Sequence, residues 1–169
     1  TQNHLETLIH SQVIPESLTA LFEQHTQQFI AQSDPLFESM PMSVIHGDCH
    51  FGNILHRPAE GLLMLDFDDC VVGPSVQDLW MLLPGDQASS DQEIQWFLDG
   101  YLTFRDFPMT SLHLIDSLKL MRQIHFASWC AIQHQEPHFQ YHFPDWGSLS
   151  YWNPLLKDIM EFGHDVADD

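Results

Sequence analysis

HGDCHFGNILHR, residues 46–57, and LLMLDFDD, residues 62–69, hold the residues on which the fold turns. His46, Asp48 and His50 alternate, Cys49 sits between the last two, and Asp66, Asp68 and Asp69 follow in the second stretch. Such a density of carboxylates and imidazoles serves transition-metal centres, phosphatase nucleophiles and phosphate-handling loops alike. Spacing has to separate them. RPAEG, residues 57–61, carries a Pro and a Gly, and NILH (53–56) and LLMLD (62–66) on either side are short apolar runs. The pair reads as a β-hairpin. A turn centred between Ala59 and Glu60 sets Asn53 opposite Asp66, with Cα atoms about 4.5 to 5.5 Å apart. An amide oxygen and a carboxylate then converge at the open end of the hairpin, where Asp48 lies in the preceding loop. Hard oxygen donors suit Mg²⁺, which takes one or two carboxylates together with phosphate oxygens and water. Asp48 is close enough to reach the same centre without binding the metal, which makes it a candidate to accept or orient a hydroxyl proton.

Outside this element the periodicity is helical. Leu18, Leu21, Phe22, His25 and Phe29 predict an amphipathic helix over about 16–32. SDPLFESMPM breaks the pattern, and Val44 to His46 read as extended. Pro74 and Ser75 open a helix with Val76, Leu79, Trp80 and Leu83, stopped by Pro84-Gly85. Ser89, Ser90 or Asp91 caps the next, which carries Ile94, Phe97, Leu98 and Tyr101. A helix over about 111–133, apolar on more than one face, reads as central. The aromatic and His-rich stretch 134–152 reads as a loop, and a last helix spans about 154–163. The only seam expected lies near residue 40. The result is mostly helix around one small β element.

With 169 residues, 44% of them apolar, twelve Phe and five Trp, the chain suits one packed domain or one lobe of a larger protein. Against 24 acidic residues stand Arg57, Arg105, Lys119, Arg122 and Lys157, scattered, for a formal charge of −19. A phosphate-neutralising face needs clustered cations, so nucleic-acid and anionic-membrane partners are not expected. Three cysteines, Cys49, Cys70 and Cys130, form neither a disulfide framework nor a zinc knuckle. No apolar run approaches a membrane span of about 20 residues. No signal-peptide pattern opens the chain, so a cytoplasmic location is expected. The start at Thr1 rather than Met hints at truncation.

H-x-D-x4-N, followed by a strand and a second strand ending in Asp, is similar to the catalytic and metal-binding segments of the protein-kinase-like superfamily. With Gly47 where protein kinases usually carry Arg, it resembles the aminoglycoside phosphotransferase and choline kinase branch. Within that branch, HGDCHFGNILHR and LDFDDCVVGPSVQDLWMLL (65–83) resemble the bacterial stress-response kinase A group, the YihE-type serine/threonine protein kinases. The match covers about residues 44–85. It implies an α+β, mostly α fold: the C-terminal lobe of a kinase-like protein, with a small hairpin carrying the metal site. It implies Mg²⁺ and ATP, with Asp48 facing an acceptor hydroxyl and Asn53 and Asp66 holding Mg²⁺ against the ATP phosphates. His50, where many serine/threonine kinases keep a Lys, would touch the transferred phosphoryl. His46 would pack beneath the metal-binding Asp, and Asp78 would tie the catalytic-loop backbone in place. Asp68 is a candidate auxiliary metal group. The helix pattern supports the Asp78 role, because Val76, Leu79, Trp80 and Leu83 fill one face and a carboxylate buried beside them needs partners.

Two other chemistries fit parts of the same stretch. LLMLDFDDCV imitates the strand and D-x-D of haloacid-dehalogenase-type phosphatases, with Asp66 as nucleophile and Asp68 as acid/base. That fold needs a parallel sheet, and no apolar strand follows residue 75. A metallohydrolase centre of His46, Asp48 and His50 needs further paired His and Asp motifs, which the other histidines do not supply. Gly47 and Gly52 also favour a loop over a regular strand.

A kinase needs a glycine-rich phosphate cover and a strand Lys. The eight glycines form no G-x-G-x-x-G, and neither Lys119 nor Lys157 lies in a suitable strand. About 45 residues precede the catalytic loop, too few for a five-stranded nucleotide lobe. The expectation is therefore one C-terminal lobe, 1–169: a helical lead-in (1–42), the catalytic loop, metal hairpin and following helix (43–85), and a helical subdomain (86–169). Its expected partners are ATP, a protein or small-molecule hydroxyl acceptor, and its own missing amino-terminal lobe. The isolated chain is expected to fold without turning over ATP. Gly47 removes the Arg that clamps a phosphorylated activation loop, and CVVGPSVQDL is short, so switching by loop phosphorylation is not expected.

Overall fold

A computed structural model describes residues 1–85 and 87–165. Asp86 and residues 166–169, which fall in the expected 86–169 segment, lie outside the described residues. The order is α1 (Gln2–His10), α2 (Glu16–Phe37), β1 (Ser43–Ile45), β2 (Ile54–Arg57), β3 (Gly61–Met64), β4 (Val71–Gly73), α3 (Val76–Trp80), α4 (Asp91–Tyr101), α5 (Ile115–Gln133), α6 (Phe139–His142) and α7 (Leu149–Asp165). The fold is mostly α with two small antiparallel sheets, β1–β4 and β2–β3. Among the described residues no helix is long and apolar enough to cross a membrane.

Contacts divide the chain into two units, Thr1–Glu38 with Asp116–Asp169, and Ser39–Ile115. The first is a helical assembly whose core repeats helical spacings: Leu5 and Leu8 from α1, Phe22 and Phe29 from α2, Leu120, Ile124, Ala127 and Ala131 from α5, and Trp152, Leu155, Leu156 and Ile159 from α7. Phe22 meets Trp152 edge-on at 5.4 Å, and Phe29 meets Phe162 edge-on at 4.9 Å. Such pairs add about 0.5 to 1.5 kcal/mol each beyond their buried area. α2 runs past the expected end to Phe37 and carries Pro35 in its last turn. There the lost amide removes a single helical bond, and burial of Phe29 and Ser33 holds the turn. The expected 111–133 helix divides into a 3-10 segment, Met109–Leu114, and α5. The 134–152 stretch contains the short α6, and α7 begins before Pro154.

The second unit frames the loop of interest. β1 and β4 pair with Val44 opposite Val72, which brackets everything between them. α3 ends at Trp80, earlier than Pro84-Gly85 suggested, and continues as single turns through Leu83. Val76 and Leu79 are fully buried. Ser75 is buried at the mouth of α3, where its Oγ lies 3.3 Å from Ser43 Oγ and accepts the Tyr101 hydroxyl at 3.2 Å.

The hairpin register differs from expectation by one residue. Arg57 pairs with Gly61 and Ile54 with Met64, so Asn53 falls opposite Leu65 rather than Asp66. The Leu65 amide donates to the Asn53 carbonyl at 2.9 Å. The cause is the turn: three residues, not two, separate the last pair, with the Glu60 amide bonded to the Arg57 carbonyl at 3.0 Å and Gly61 at φ +93°. Glycine supplies the left-handed residue that closes the turn without strain. One residue beyond the ladder, Asp66 itself adopts φ +60°. Left-handed backbone is unusual for a residue with a Cβ, Asp being among the few that tolerate it.

Candidate active site

The loop from His46 to Asn53 is pinned from several directions. The Asp78 carboxylate accepts the amides of His46 at 2.8 Å and Gly47 at 3.0 Å, one oxygen to each. α3 presents that carboxylate while Val76 and Leu79 bury its other face. Gly47 has φ +84°, and a Cβ there would collide with the Asp69 carbonyl. Glycine at 47 is thus a steric requirement, and the approach of residue 69 ties the loop to the segment after β3.

His46 lies beneath that segment, 7% exposed. Its Nε2 donates to the Leu65 carbonyl at 2.8 Å, and its ring lies 5.0 Å from that of Phe67. The two neighbours of Asp66 are therefore both held by one imidazole. Asp66 is exposed between them, and no hydrogen bond or ion pair engages its carboxylate among the described residues. Asp68 and Asp69 are likewise exposed.

Asn53 closes the short 3-10 turn Phe51–Asn53. Its Nδ2 donates to the Asp48 carbonyl at 3.0 Å and to Asp48 Oδ2 at 3.4 Å. With the amide nitrogen committed to Asp48, Oδ1 is the atom left to accept a further partner. His50 accepts the Gly52 amide on Nδ1 at 2.9 Å, so its neutral ring carries the proton on Nε2, which lies 3.5 Å from Asp48 Oδ2. The Asp48 side chain, 14% exposed, thus has an amide and an imidazole beside the same oxygen. Cys49, between them, is buried, and burial reinforced by the Asp78 and Asp48 charges pushes its thiol up to about 11.

Amide and carboxylate oxygens are the donor type that a hard divalent cation takes. Asn53 Oδ1 and the Asp66 carboxylate are oxygens without a partner among the described residues, and both face no competing cation there. Among the described residues no three His, Cys, Asp or Glu side chains are grouped to hold a metal. That removes the three-ligand centre of His46, Asp48 and His50, whose first imidazole is occupied by the Leu65 carbonyl. The antiparallel pairing of all described strands removes the phosphatase alternative, which needs a parallel sheet.

Gly47, Gly52 and Trp80 were read from the sequence as loop or helix residues without a part in holding the site, and Gln77 was not singled out. The left-handed backbone of Gly47 and the packing of Gly52 under the His50 ring were signalled only by glycine inside a short loop. Gln77, which reaches the loop from α3, and Trp80, which bonds to Gln77, carried no signal beyond helical phase.

Residues 4–113 match the model of the phosphotransferase enzyme family, APH. Stress response kinase A of Escherichia coli K12 is 36% identical over 150 residues, 88% of this chain and 45% of that protein. The serine/threonine protein kinase RdoA of Salmonella typhimurium is 38% identical over 117 residues, 69% of this chain and 35% of that protein. The chain therefore spans less than half the length of these relatives. Among solved structures, an amicoumacin kinase in complex with AMP-PNP, Ca²⁺ and Ami superposes with a TM-score of 0.61 at 18% identity, over 89% of this chain and 48% of that one. A spectinomycin phosphotransferase in complex with ADP and spectinomycin gives 0.54 at 18% identity, over 94% and 55%. These two likenesses concern the fold.

Proposed function

Because the chain belongs to the phosphotransferase enzyme family, APH, we propose that it is the acceptor-side lobe of an ATP- and Mg²⁺-dependent kinase, a serine/threonine protein kinase of the stress-response type. The observation that carries this reading is the posture of Asn53: its nitrogen is held by Asp48 and its oxygen is left to bind. That arrangement separates a metal-facing oxygen from a carboxylate reserved for other work.

In this reading Asn53 and Asp66 hold Mg²⁺, with Asp68 as an auxiliary group, and the ion when bound neutralises charge on the ATP phosphates. Asp48 orients the acceptor hydroxyl and takes its proton as that oxygen bonds to the γ-phosphorus of ATP, while the bond from this phosphorus to the β–γ bridging oxygen breaks and ADP leaves with the electron pair. His50 keeps an N–H beside Asp48, and its role in this reading is to contact the transferred phosphoryl. His46 and Asp78 hold the two backbone segments that carry Asp66 and Asp48. A cytoplasmic site of action goes with ATP as donor.

The nucleotide cover and its Lys belong, in this proposal, to an amino-terminal lobe outside these residues. The hairpin supports that: Leu55, Leu62, Leu63, Leu65 and Phe67 are all exposed, from 36% to 69%. Large apolar side chains left exposed in such number are the kind that a neighbouring lobe covers. Relatives at 36–38% identity named stress response kinase A and serine/threonine protein kinase support the protein acceptor. The excess of 24 acidic over 5 basic residues favours a second reading, a kinase for a cationic small-molecule alcohol.

Radiolabel transfer from ATP by the intact protein, offered a protein panel and a panel of amino alcohols and aminoglycosides, tests both. Label on Ser or Thr of a protein supports the first reading, and label on a small alcohol replaces it with the second. Neither labelling nor nucleotide-dependent thermal stabilisation would leave only a non-catalytic binding module.

A further inference from the structure

Gly47 is held at its amide by Asp78 and crowded at its Cα by the Asp69 carbonyl, and a third contact reaches its own carbonyl. Gln77 Nε2 donates to that oxygen at 3.3 Å. The carbonyl belongs to the peptide bond that leads into Asp48, so its direction sets the plane from which the Asp48 side chain departs. The Gln77 amide is oriented in turn. Trp80 Nε1 donates to Gln77 Oε1 at 3.0 Å across one turn of α3, which fixes the nitrogen as the end that meets Gly47, with Met81 Sδ a further 3.5 Å contact. An indole N–H donates only, so the amide cannot flip without losing both bonds.

We propose that Gln77 is a positioning residue which, oriented by Trp80, clamps the Gly47–Asp48 peptide and keeps the Asp48 carboxylate aimed. The residue type follows from the chemistry. A carbonyl needs a donor, and Glu at this position would set a carboxylate against that carbonyl and beside Asp78. A Leu of similar volume would leave the carbonyl without the contact. The indole is the part that makes a flexible amide directional. Loss of a single neutral hydrogen bond of this kind loosens the loop without unfolding the unit.

The clamp goes beyond the phosphotransfer reading, and only its catalytic consequence rests on that reading. The test uses the intact protein with Gln77→Glu, Gln77→Leu and Trp80→Phe. Hydrogen–deuterium exchange across residues 44–53 is expected to rise about tenfold in both Gln77 variants and less in Trp80→Phe, while α4 and the thermal midpoint stay within about 4 °C of the parent. With the acceptor identified by labelling, kcat is expected to fall about tenfold in Gln77→Glu with KM for ATP unchanged. Unchanged exchange in Gln77→Glu, or exchange raised equally along α3 and α4, overturns the clamp. Raised exchange with an unchanged kcat overturns the positioning role. Raised exchange in a protein that labels no acceptor overturns phosphotransfer and leaves the clamp standing.

Discussion

His50 and Gly52 fit one another as ring and recess: the Gly52 amide donates to His50 Nδ1 at 2.9 Å, and a Cβ on residue 52 would lie 2.5 Å from the ring's Cε1. The contact holds the opposite nitrogen toward Asp48. Gly52→Ala is therefore expected to push the imidazole out while leaving the backbone intact. In the intact protein its kcat should fall to the level of His50→Ala, about ten- to a hundredfold. The double variant should be no worse than either single one, because both remove the same group. Fully additive losses would separate the two residues.

Asp48→Ala and Asp66→Ala should fail in different ways. The first removes the group proposed to take the hydroxyl proton, so kcat falls by about 10² to 10⁴ with little change in nucleotide affinity. The second removes a proposed metal oxygen and should weaken binding of Mg·ATP itself. Titrating each variant with nucleotide, with and without Mg²⁺, measures the difference. Equal losses in both parameters for both variants would dissolve the division of roles.

The nearness of Asp48 and Asn53 was legible because spacing along one loop is a local property. The tie from Asp78 to the His46 and Gly47 amides spans about thirty residues, and only the family resemblance pointed to it. The register was not legible in the same way. Whether RPAEG closes with two or three residues depends on which one adopts the left-handed backbone, and Gly61, not the centre of the segment, takes it. A one-residue slip turns every side chain to the opposite face. The left-handed backbone at Asp66 lies just beyond that slipped register. Nothing in the composition of LLMLDFDD announces a positive φ. The Gln77–Trp80 pair was hidden for another reason: an i, i+3 contact on a helix looks like ordinary phase until its target is known.

Asp78→Asn should cost stability as well as activity. One of the two accepting oxygens becomes an NH₂ facing a backbone N–H, which leaves an amide unsatisfied and costs about 1 to 3 kcal/mol. For a domain of this size that lowers the thermal midpoint by about 2 to 12 °C. Calorimetry of the intact protein checks it. A midpoint identical to the parent's would show that water replaces the carboxylate freely.

No activating phosphate is expected between Cys70 and Asp78. β4 occupies Val71–Gly73, and the one hydroxyl in the segment, Ser75, is 8% exposed and bonded to Ser43 and Tyr101. A phosphate there would be buried among groups that offer no cation. Ser75→Asp is accordingly expected to destabilise rather than activate, by about 2 kcal/mol or more. Intact-mass and peptide mass spectrometry of the active protein decides it. A phosphate at Ser75 that activity requires would overturn the prediction.

Cys49 gives the alkaline limb of stability a defined sign. Burial first, then the Asp78 and Asp48 charges, push its thiol up from 9.0 to about 11, and burial does the same to Cys130. Below about pH 9 folded and unfolded chains both keep these protons, and the contribution is complete. Above that value the unfolded thiols ionise first. Stability then falls with rising pH until about 11, where the folded thiols follow. Urea unfolding at pH 8, 9.5 and 10.5 should give a declining free energy, and Cys49→Ala should flatten the decline. At pH 8 iodoacetamide should modify exposed Cys70 in the native protein while Cys49 and Cys130 are spared until urea is added. Native-state alkylation of Cys49 as fast as that of Cys70 would mean that the loop beside Asp48 is open to solvent, and the pinned geometry from Asp78 to Asn53 would have to be abandoned with it.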